Sequence, residues 1–260
     1  MCYWVGTKKV REIIKKRKES GLWDNIDQAF YDTFIARTDK EFIEQYIAIG
    51  KGKPTLTTLH KENGQLSFEN MQWTLPYSYT DKTGKEVTRE LQNSTCERVF
   101  YQHKDQIYSK RCLVPIDGYI EYHHFGKETY PHYIYPRDEN EYFLAAGIYD
   151  YGIDKKTGEE KGMFSIITTT PNPFVGRIHN NPEAPNGPRM LLLLPRERAI
   201  EYLDETKDQK GIKSFFQPYD QEKMKAHTVL RFQRKENAQF FNTPKVLEPC
   251  QYPEFSPTLL

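Results

Sequence analysis

The 260-residue chain has few cysteines, no long apolar segment and almost no excess of charge of either sign. Its four cysteines are far apart and form no C-x-x-C pair, which argues against a zinc ribbon and fits a reducing compartment. No apolar run is long enough to span a bilayer, and the N-terminus lacks the apolar core of a signal peptide. We therefore expect a cytoplasmic protein without a membrane segment.

The charge balance gives no direct indication of a partner. Thirty-seven Lys and Arg side chains oppose 36 Asp and Glu side chains, so the net charge is +1. A nucleic-acid site would have to be a local basic patch, because the field of the whole protein is close to zero. The sequence also lacks internal repeats, low-complexity tracts and linker-like shifts in composition, and we predict a single domain over residues 1–260.

A cysteine stands at position two, where it becomes the amino terminus when the initiator Met1 is removed. A free α-amine has a pKa of about 7.7–8.0 and a cysteine thiol a pKa of about 8.5, so both groups are usable nucleophiles at neutral pH. Such an aminothiol condenses with an aldehyde to an imine, which the thiol closes to a thiazolidine ring. It can also attack an acyl group, with its own amine as base. The ordinary alternative is that Cys2 belongs to a frayed terminus.

The pattern of apolar residues predicts two helices followed by a β-rich region. Thr7 is a candidate cap for a helix through Glu19 with one basic face, and Asn25–Arg37 carries aromatic residues at helical spacing. Beyond Gly50, turn signals separate short β-rich runs, which indicates hairpins and meanders. The strand candidates are Gln65–Trp73, Arg111–Pro115, Gly118–Tyr122, His132–Tyr135, Tyr142–Tyr149, Gly162–Thr170 and Met190–Leu194, and Arg196–Leu203 is predicted to be helical. An α+β domain is the simplest account of this order.

Two ionisable residues in the β-rich region are candidates for proton transfer. Glu121 interrupts an apolar strand, where a carboxylate either faces solvent or lies in a pocket as an acid/base group. His179 lies in a long proline-rich loop, and long loops in compact domains are often functional, although a lone histidine is more often structural. His123 and His124 are adjacent and would point to opposite faces of a strand, so they make a poor metal pair.

Taken together, a series of motifs resembles the SRAP family, the SOS response-associated peptidases, whose members crosslink to abasic sites in single-stranded DNA. The motifs occur in the family's order over most of the chain: Met1-Cys2, Met71–Pro76, Asn93 with Glu97, Cys112–Tyr122, Ala146–Tyr149, Ile166–Thr169, Ile178-His179, Arg189-Met190 and Asn242–Pro244. Each motif is weak alone, but their order and the cysteine at position two make the resemblance specific.

The resemblance implies a role for each of four residues and a fold. Cys2 would be the crosslinking nucleophile, and Asn93 and Glu121 would position its amine and move protons. His179 would act on the ring oxygen of the abasic sugar, which is mostly a closed hemiacetal and must open to the aldehyde. The implied fold is α+β, with a curved, partly barrel-like mixed β-sheet flanked by helices. The expected partner is single-stranded DNA containing abasic sites, bound by a monomer without a metal or organic cofactor.

Three features depart from the family pattern. Trp4 and Thr95 stand where the family usually has phosphate-binding arginines, and Trp4 would instead stack on a base. An insertion at 181–188 separates His179 from Arg189, which the family spaces by two residues, and the ring-opening role would fail if this loop moved His179 away. The candidates for DNA contacts are Trp4, Arg98, Arg111, Arg177 and Arg189, with Lys8 and Lys9 in addition.

We therefore predict suicide-type covalent capture of abasic sites as a thiazolidine, and the resemblance adds autoproteolytic and abasic-site lyase activities. Two other classes of protein remain open at this point. One is an N-terminal-nucleophile peptidase or amidohydrolase in which Cys2 attacks an amide and Asn93 helps to form an oxyanion hole. The other is a non-catalytic single-strand binding module that uses the many tyrosines and Trp4.

Overall fold

The structure, a computed structural model, describes residues 3–36, 41–154, 157–181, 183–184 and 186–255. Its helices are α1 (Val10–Glu19), α2 (Asn25–Phe34), α3 (Val99–Gln102), α4 (Lys104–Ser109), α5 (Pro173–Ile178), α6 (Arg196–Tyr202) and α7 (Gln209–Lys213). Its strands are β1 (Trp4–Gly6), β2 (Ala48–Ile49), β3 (Thr55–Glu62), β4 (Gln65–Trp73), β5 (Leu75–Thr80), β6 (Glu86–Leu91), β7 (Asn93–Thr95), β8 (Arg111–Ile116), β9 (Gly118–Phe125), β10 (Glu128–Pro136), β11 (Phe143–Ile153), β12 (Glu160–Thr169), β13 (Met190–Leu191), β14 (Leu193–Leu194) and β15 (Met224–Thr228).

Five strands close into a ring in the order β12, β4, β3, β8 and β11, with β11 pairing back to β12. β12 runs parallel to β4, and the other pairs in the ring are antiparallel. β7 extends this sheet by pairing in parallel with β12, and β13 pairs with the same strand. The predicted α+β fold with a partly barrel-like mixed sheet and flanking helices is confirmed.

A second sheet has the strand order β15, β10, β9, β1 and β2. Residues one apart on these strands point to opposite faces, and the two faces are buried against different parts of the molecule. Val5 and Tyr119 pack with the barrel strands, whereas Ile120 packs with the C-terminal segment through Val229 and Val246. The sheet therefore lies between the barrel and the C-terminal segment. One of its faces packs against the barrel, and the other packs against the C-terminal segment.

The N-terminal helices cover the barrel and are fixed by buried polar contacts. Asp24 caps α2 by accepting hydrogen bonds from two backbone N–H groups of its first turn. Arg17 is buried and donates to Asp27 at 2.9 Å, so this residue of the predicted basic face is an internal link between α1 and α2. The predicted cap at Thr7 is wrong, because its hydroxyl donates to the Ile43 carbonyl and α1 begins at Val10. Within the described ranges, no helix is long and apolar enough to cross a membrane.

Candidate active site and DNA-facing groove

Asn93 lies at the start of β7, and its side chain is only 7% exposed. The strand is held by parallel pairing of Asn93 with Ile166 on β12. Asn93 borders a surface groove of about 390 Å³, to which Tyr3 and Arg98 also contribute. Cys2 lies outside the described residues, but Tyr3, the next residue along the chain, lines the same groove as Asn93.

Glu121 is buried on β9, with 3% of its surface exposed. Val5 of β1 pairs with Tyr119 of β9 in an antiparallel register, two residues before Glu121. Residues two apart on a strand share a face, so Glu121 faces the barrel side together with Tyr119. Its Oε1 atom has no hydrogen-bond partner among the residues that the structure describes. A buried carboxylate oxygen in this state is costly unless a ligand or substrate group satisfies it.

His179 directly follows α5. Its Nδ1 atom contacts the backbone of Arg189 and lies near the carboxylate of Glu121. Nδ1 lies 2.8 Å from the carbonyl oxygen of Arg189, 3.2 Å from the backbone nitrogen of Arg189 and 3.6 Å from Oε2 of Glu121. The carbonyl contact requires a proton on Nδ1 and the N–H contact requires its absence, so the two are alternatives. The shorter carbonyl contact favours Nδ1–H, which leaves Nε2 of the neutral ring able to accept a proton.

The insertion does not move His179 away from Arg189. The insertion turns back on itself through hydrogen bonds from Ala184 N–H to the Asn181 carbonyl and from Gly187 N–H to the Ala184 carbonyl. Arg189 contacts His179 through the backbone atoms described above, so the residues that flank the insertion lie close together.

The side chain of Arg189 joins this loop to the segment after Asn93. Its guanidinium donates to both carboxylate oxygens of Glu97, at 2.8 and 2.9 Å, and to the Thr168 carbonyl at 2.7 Å. Partial burial opposes ionisation of Glu97, but the hydrogen bonds and charge of Arg189 hold its pKa at about 2. The motifs that carry Asn93 and His179 are thus locked together by one ion pair.

Two of the predicted DNA-binding arginines are engaged inside the protein. Arg111 is buried and donates to the carbonyls of Ile107, Tyr108, Tyr202 and Asp204, which lie at the C-terminal ends of α4 and α6. Arg189 is buried in its pair with Glu97. Both guanidinium groups bind within the fold, which argues against the predicted contacts of Arg111 and Arg189 with DNA.

The surroundings of Trp4 also argue against its predicted stacking role. Its ring packs edge-on against Phe232 at 5.0 Å between centroids, in the cluster that includes Ile120. Because Ile120 and Glu121 point to opposite faces of β9, Trp4 lies on the face away from Glu121. Tyr3, and not Trp4, lines the groove. Thr95, the other departure from the family pattern, is buried.

The remaining basic candidates differ in their surroundings. Arg98 and Arg177 are exposed, and Arg98 lines the groove beside Asn93. Lys8 forms an ion pair with Glu44 at 2.6 Å, which reduces its availability to phosphate. Arg98 and Arg177 therefore remain predictions for phosphate contacts.

The groove also contains residues that the sequence analysis did not select, namely Tyr77, Tyr79, Arg89, Tyr101 and Asn186. Two of them lie on β5, whose alternating Tyr-Ser-Tyr-Thr sequence precedes a Lys-Thr-Gly turn, a signal that indicates a hairpin with a tyrosine face. The described residues contain no group of three or more His, Cys, Asp or Glu side chains arranged to hold a metal ion.

Two curated proteins are similar to this chain over most of its length. The Abasic site processing protein YoqW of Bacillus subtilis strain 168 is 25% identical over 218 residues, which cover 79% of this chain and 91% of that protein. The Abasic site processing protein YoaM of the same organism is 23% identical over 210 residues, covering 76% of this chain and 88% of that protein.

Two solved structures have a similar fold, and a family model matches most of the chain. A Bacteroides thetaiotaomicron protein aligns with a TM-score of 0.68 and 25% identity, over 96% of this chain and 100% of the other. A Bordetella bronchiseptica protein, at 16% identity, aligns with a TM-score of 0.63 over 88% of this chain and 100% of the other. The model described as SOS response associated peptidase (SRAP) matches residues 11–232. The chain therefore belongs to the SRAP family.

Proposed function

We propose that the protein recognises abasic sites in single-stranded DNA and captures them covalently through Cys2 after removal of Met1. The observation that carries the proposal is the buried pair of Glu121 and His179, whose Oε2 and Nδ1 atoms lie 3.6 Å apart. Tyr3, the residue after Cys2, and Asn93 line one groove, which supports the same proposal. The names of the two Bacillus relatives support abasic DNA as the substrate. We further propose that the protein acts as a monomer in the cytoplasm.

The first step is opening of the sugar ring. With Nδ1–H of His179 held by the Arg189 carbonyl, Nε2 accepts the proton of the C1 hydroxyl group. The C1–O4 bond then breaks, O4 receives a proton from the imidazolium, and the sugar becomes an open-chain aldehyde. No proton is gained or lost by the protein over the step.

The second step joins the protein to the aldehyde. The α-amine of Cys2 adds to C1, and Glu121 carries two protons in turn from the nitrogen to the former aldehyde oxygen. The first proton gives the carbinolamine hydroxyl, and the second converts that hydroxyl to water, which leaves as the C1–N double bond of the imine forms. The amide of Asn93 holds the reacting groups in place. The Cys2 thiol then adds to the imine carbon and its proton passes to the nitrogen, which closes the thiazolidine.

Met1 must be absent for this chemistry. While Met1 is attached, the nitrogen of Cys2 is an amide whose lone pair is delocalised into the carbonyl group, and it forms no imine. Removal of Met1 by attack of the Cys2 thiol on the preceding carbonyl, and lyase chemistry starting from the imine, would use the same residues. An uncleavable N-terminal tag should therefore make the protein inert.

The proposal is tested with uracil-containing single strands treated with a glycosylase to create abasic sites. The expected product survives heating in denaturing electrophoresis, and its mass equals that of the Met1-free protein plus the strand minus one water. Cys2→Ser should abolish it, because an oxazolidine is far more labile than a thiazolidine. A wild-type yield from Cys2→Ser, or from the tagged chain, would contradict the mechanism.

A further inference from the structure

We propose that Asn180 is a positioning residue, which holds His179 at the distance from Glu121 that opening of the abasic sugar requires. The proposal rests on the proposed function, because it assigns the imidazole of His179 to the ring-opening step. It also gives a role to the adjacent residues His123 and His124 of β9, which make a poor metal pair in the sequence.

The side-chain amide of Asn180 forms two hydrogen bonds with the backbone of a single residue. Its Oδ1 atom accepts from the His124 N–H at 2.7 Å, and its Nδ2 atom donates to the His124 carbonyl oxygen at 3.0 Å. A residue of an antiparallel neighbouring strand would form the same pair of hydrogen bonds. β9 pairs with β1 at Gly118 and Tyr119, several residues before His124. The amide of Asn180 therefore takes the place of a neighbouring strand at this point, and we call the two hydrogen bonds the Asn180 clamp.

A third hydrogen bond joins the same two segments. Nδ1 of His123 donates to the carbonyl oxygen of Arg177 at 2.8 Å. His123 and Glu121 are two positions apart on β9, so their side chains share one face of the sheet. The chain is thus fixed to β9 on both sides of His179, at Arg177 before it and at Asn180 after it.

The contacts of Asn180 differ from those of Arg189. Arg189 contacts the imidazole through its backbone and Glu97 through its guanidinium group, so it ties His179 to the segment after β7. Asn180 instead ties His179 to β9, the strand that carries Glu121. Nδ1 of His179 lies 3.6 Å from Oε2 of Glu121, and this is the separation that the clamp would control.

The insertion at 181–188 gives the clamp its importance. It begins directly after Asn180, and the hydrogen bonds that turn it back on itself lie within the insertion. A movement of the insertion would therefore reach His179 unless the chain is fixed between them, and Asn180 is the residue at that position. A misplacement of a reacting group by about 1 Å can reduce the rate about 100-fold.

The test follows Asn180→Ala with two single strands that differ at one nucleotide. The first strand carries an abasic site, whose sugar must open before it reacts. The second carries an open-chain aldehyde without the hydroxyl group needed for ring closure, so it requires Cys2 and Glu121 but not the ring-opening step. At saturating DNA, the variant should form the heat-stable product with the abasic strand about 10–100-fold more slowly than the wild type. Its rate with the open-chain strand should stay within about twofold of the wild type, because no ring has to open.

Two further variants separate the clamp from packing and from the loop in general. Asn180→Asp keeps the size of the side chain and the acceptor, but it loses the donor to the His124 carbonyl group, so it should also react slowly with the abasic strand. Asn181→Ala is the matched control, because the Oδ1 atom of this neighbouring asparagine accepts from the Glu183 N–H inside the insertion. It should react with both strands at the wild-type rate.

DNA affinity is measured by anisotropy on a strand with a tetrahydrofuran site, which has no C1 hydroxyl group and cannot react. The dissociation constant of Asn180→Ala should stay within about twofold of the wild type, since a positioning residue changes the rate rather than binding. A wild-type rate of Asn180→Ala on the abasic strand would overturn the proposal. An equal loss on both strands would also overturn it, because it would indicate damage to the whole site. Failure of the proposed function would look different, since the wild type itself would then form no heat-stable product with the abasic strand.

Discussion

The carbonyl oxygen of Arg189 lies 2.8 Å from Nδ1 of His179, although ten residues separate them in the chain. The guanidinium group of the same arginine holds Glu97, just beyond the strand of Asn93. Arg189 therefore orients the imidazole with its backbone and fixes the two halves of the site with its side chain. We therefore expect Arg189 to position other residues of the site, and this role makes different predictions from a phosphate contact.

Replacing Arg189 with lysine should slow crosslinking without weakening DNA binding. Lysine keeps the charge but cannot donate to both oxygens of Glu97 in the fixed geometry of a guanidinium group. Loss of an orienting partner commonly reduces activity by about 10–100-fold, and we expect a decrease of that size in the single-turnover rate at saturating DNA. Arg177→Gln is the matched control: this exposed arginine should affect the dissociation constant more than the rate. A weaker affinity of Arg189→Lys at an unchanged rate would restore the phosphate role.

Glu121→Gln and His179→Ala should each slow the formation of the crosslink by about 100-fold or more, as expected for loss of a general acid/base. The final yield should still approach that of the wild type, because Cys2 retains both of its nucleophiles. The measurement is a time course of the heat-stable product on denaturing gels. Time courses that match the wild type would remove both residues from the reaction.

Trp4→Ala should reduce stability and leave DNA affinity unchanged. Trp4 packs against Phe232 on the face away from Glu121, and its loss leaves a partly filled cavity between the second sheet and the C-terminal segment. We expect a loss of about 2 kcal/mol in the free energy of unfolding, below the ~3–5 kcal/mol of a fully buried aromatic residue because Trp4 is only half-buried. Urea denaturation and anisotropy on the same preparations test this. Weaker DNA binding with unchanged stability would return Trp4 to the groove.

Asp117 should make the stability depend on pH. Burial raises the pKa of this carboxyl to about 6, although hydrogen bonds from the Lys9 N–H and the Tyr133 hydroxyl oppose the shift. The unfolded chain loses the proton at a pH of about 3.9, so the folded state binds more protons between pH 4 and 6, and its stability falls as the pH rises through that window.

The experiment measures the free energy of unfolding of the wild type and of Asp117→Asn by urea denaturation between pH 4 and 7. Asparagine cannot ionise, and its amide can donate to the Tyr133 hydroxyl. The stability advantage of the wild type over the variant should shrink by about 3 kcal/mol as the pH rises, from a shift of about two pKa units. A difference that is constant with pH would show that Asp117 titrates normally.

The sequence predicted the helices and strands that have a clear local pattern of residues. It missed those whose limits depend on contacts with distant parts of the chain. The range predicted for β4, Gln65–Trp73, is confirmed at both ends. The single strand predicted over Met190–Leu194 is divided, because the backbone of Leu192 bridges β12 and β11 by contacting Ile167 and Ala146. The β5 and β6 strands were missed because most of their exposed residues are polar. The second predicted helix ends at Phe34, and its predicted end at Arg37 lies outside the described residues.

In the candidate site, too, local patterns were predictable and contacts with distant residues were not. Glu121 and His179 were selected because each is anomalous in its local context, and the structure brings them to 3.6 Å. The contacts of Arg111 and Arg189 inside the fold could not be predicted, because a charge in the sequence carries no information about burial or about the carbonyl and carboxylate groups that face it. The placement of Trp4 depended on which face of β1 meets the C-terminal segment, a contact between residues more than 200 positions apart.

β12 is the strand at which the ring closes, and it also holds the strands next to the site. It pairs with β4 and β11 in the ring, with β7 at Asn93, and with β13 immediately after Arg189. These pairings join distant parts of the chain, so we expect them to form late and together during folding. Amide hydrogen exchange along β12 should then proceed only through global unfolding, and a partly folded chain would have no assembled site. On the proposed mechanism, the aminothiol of a nascent chain would thus meet aldehydes without help from Glu121 or His179 until the barrel is complete.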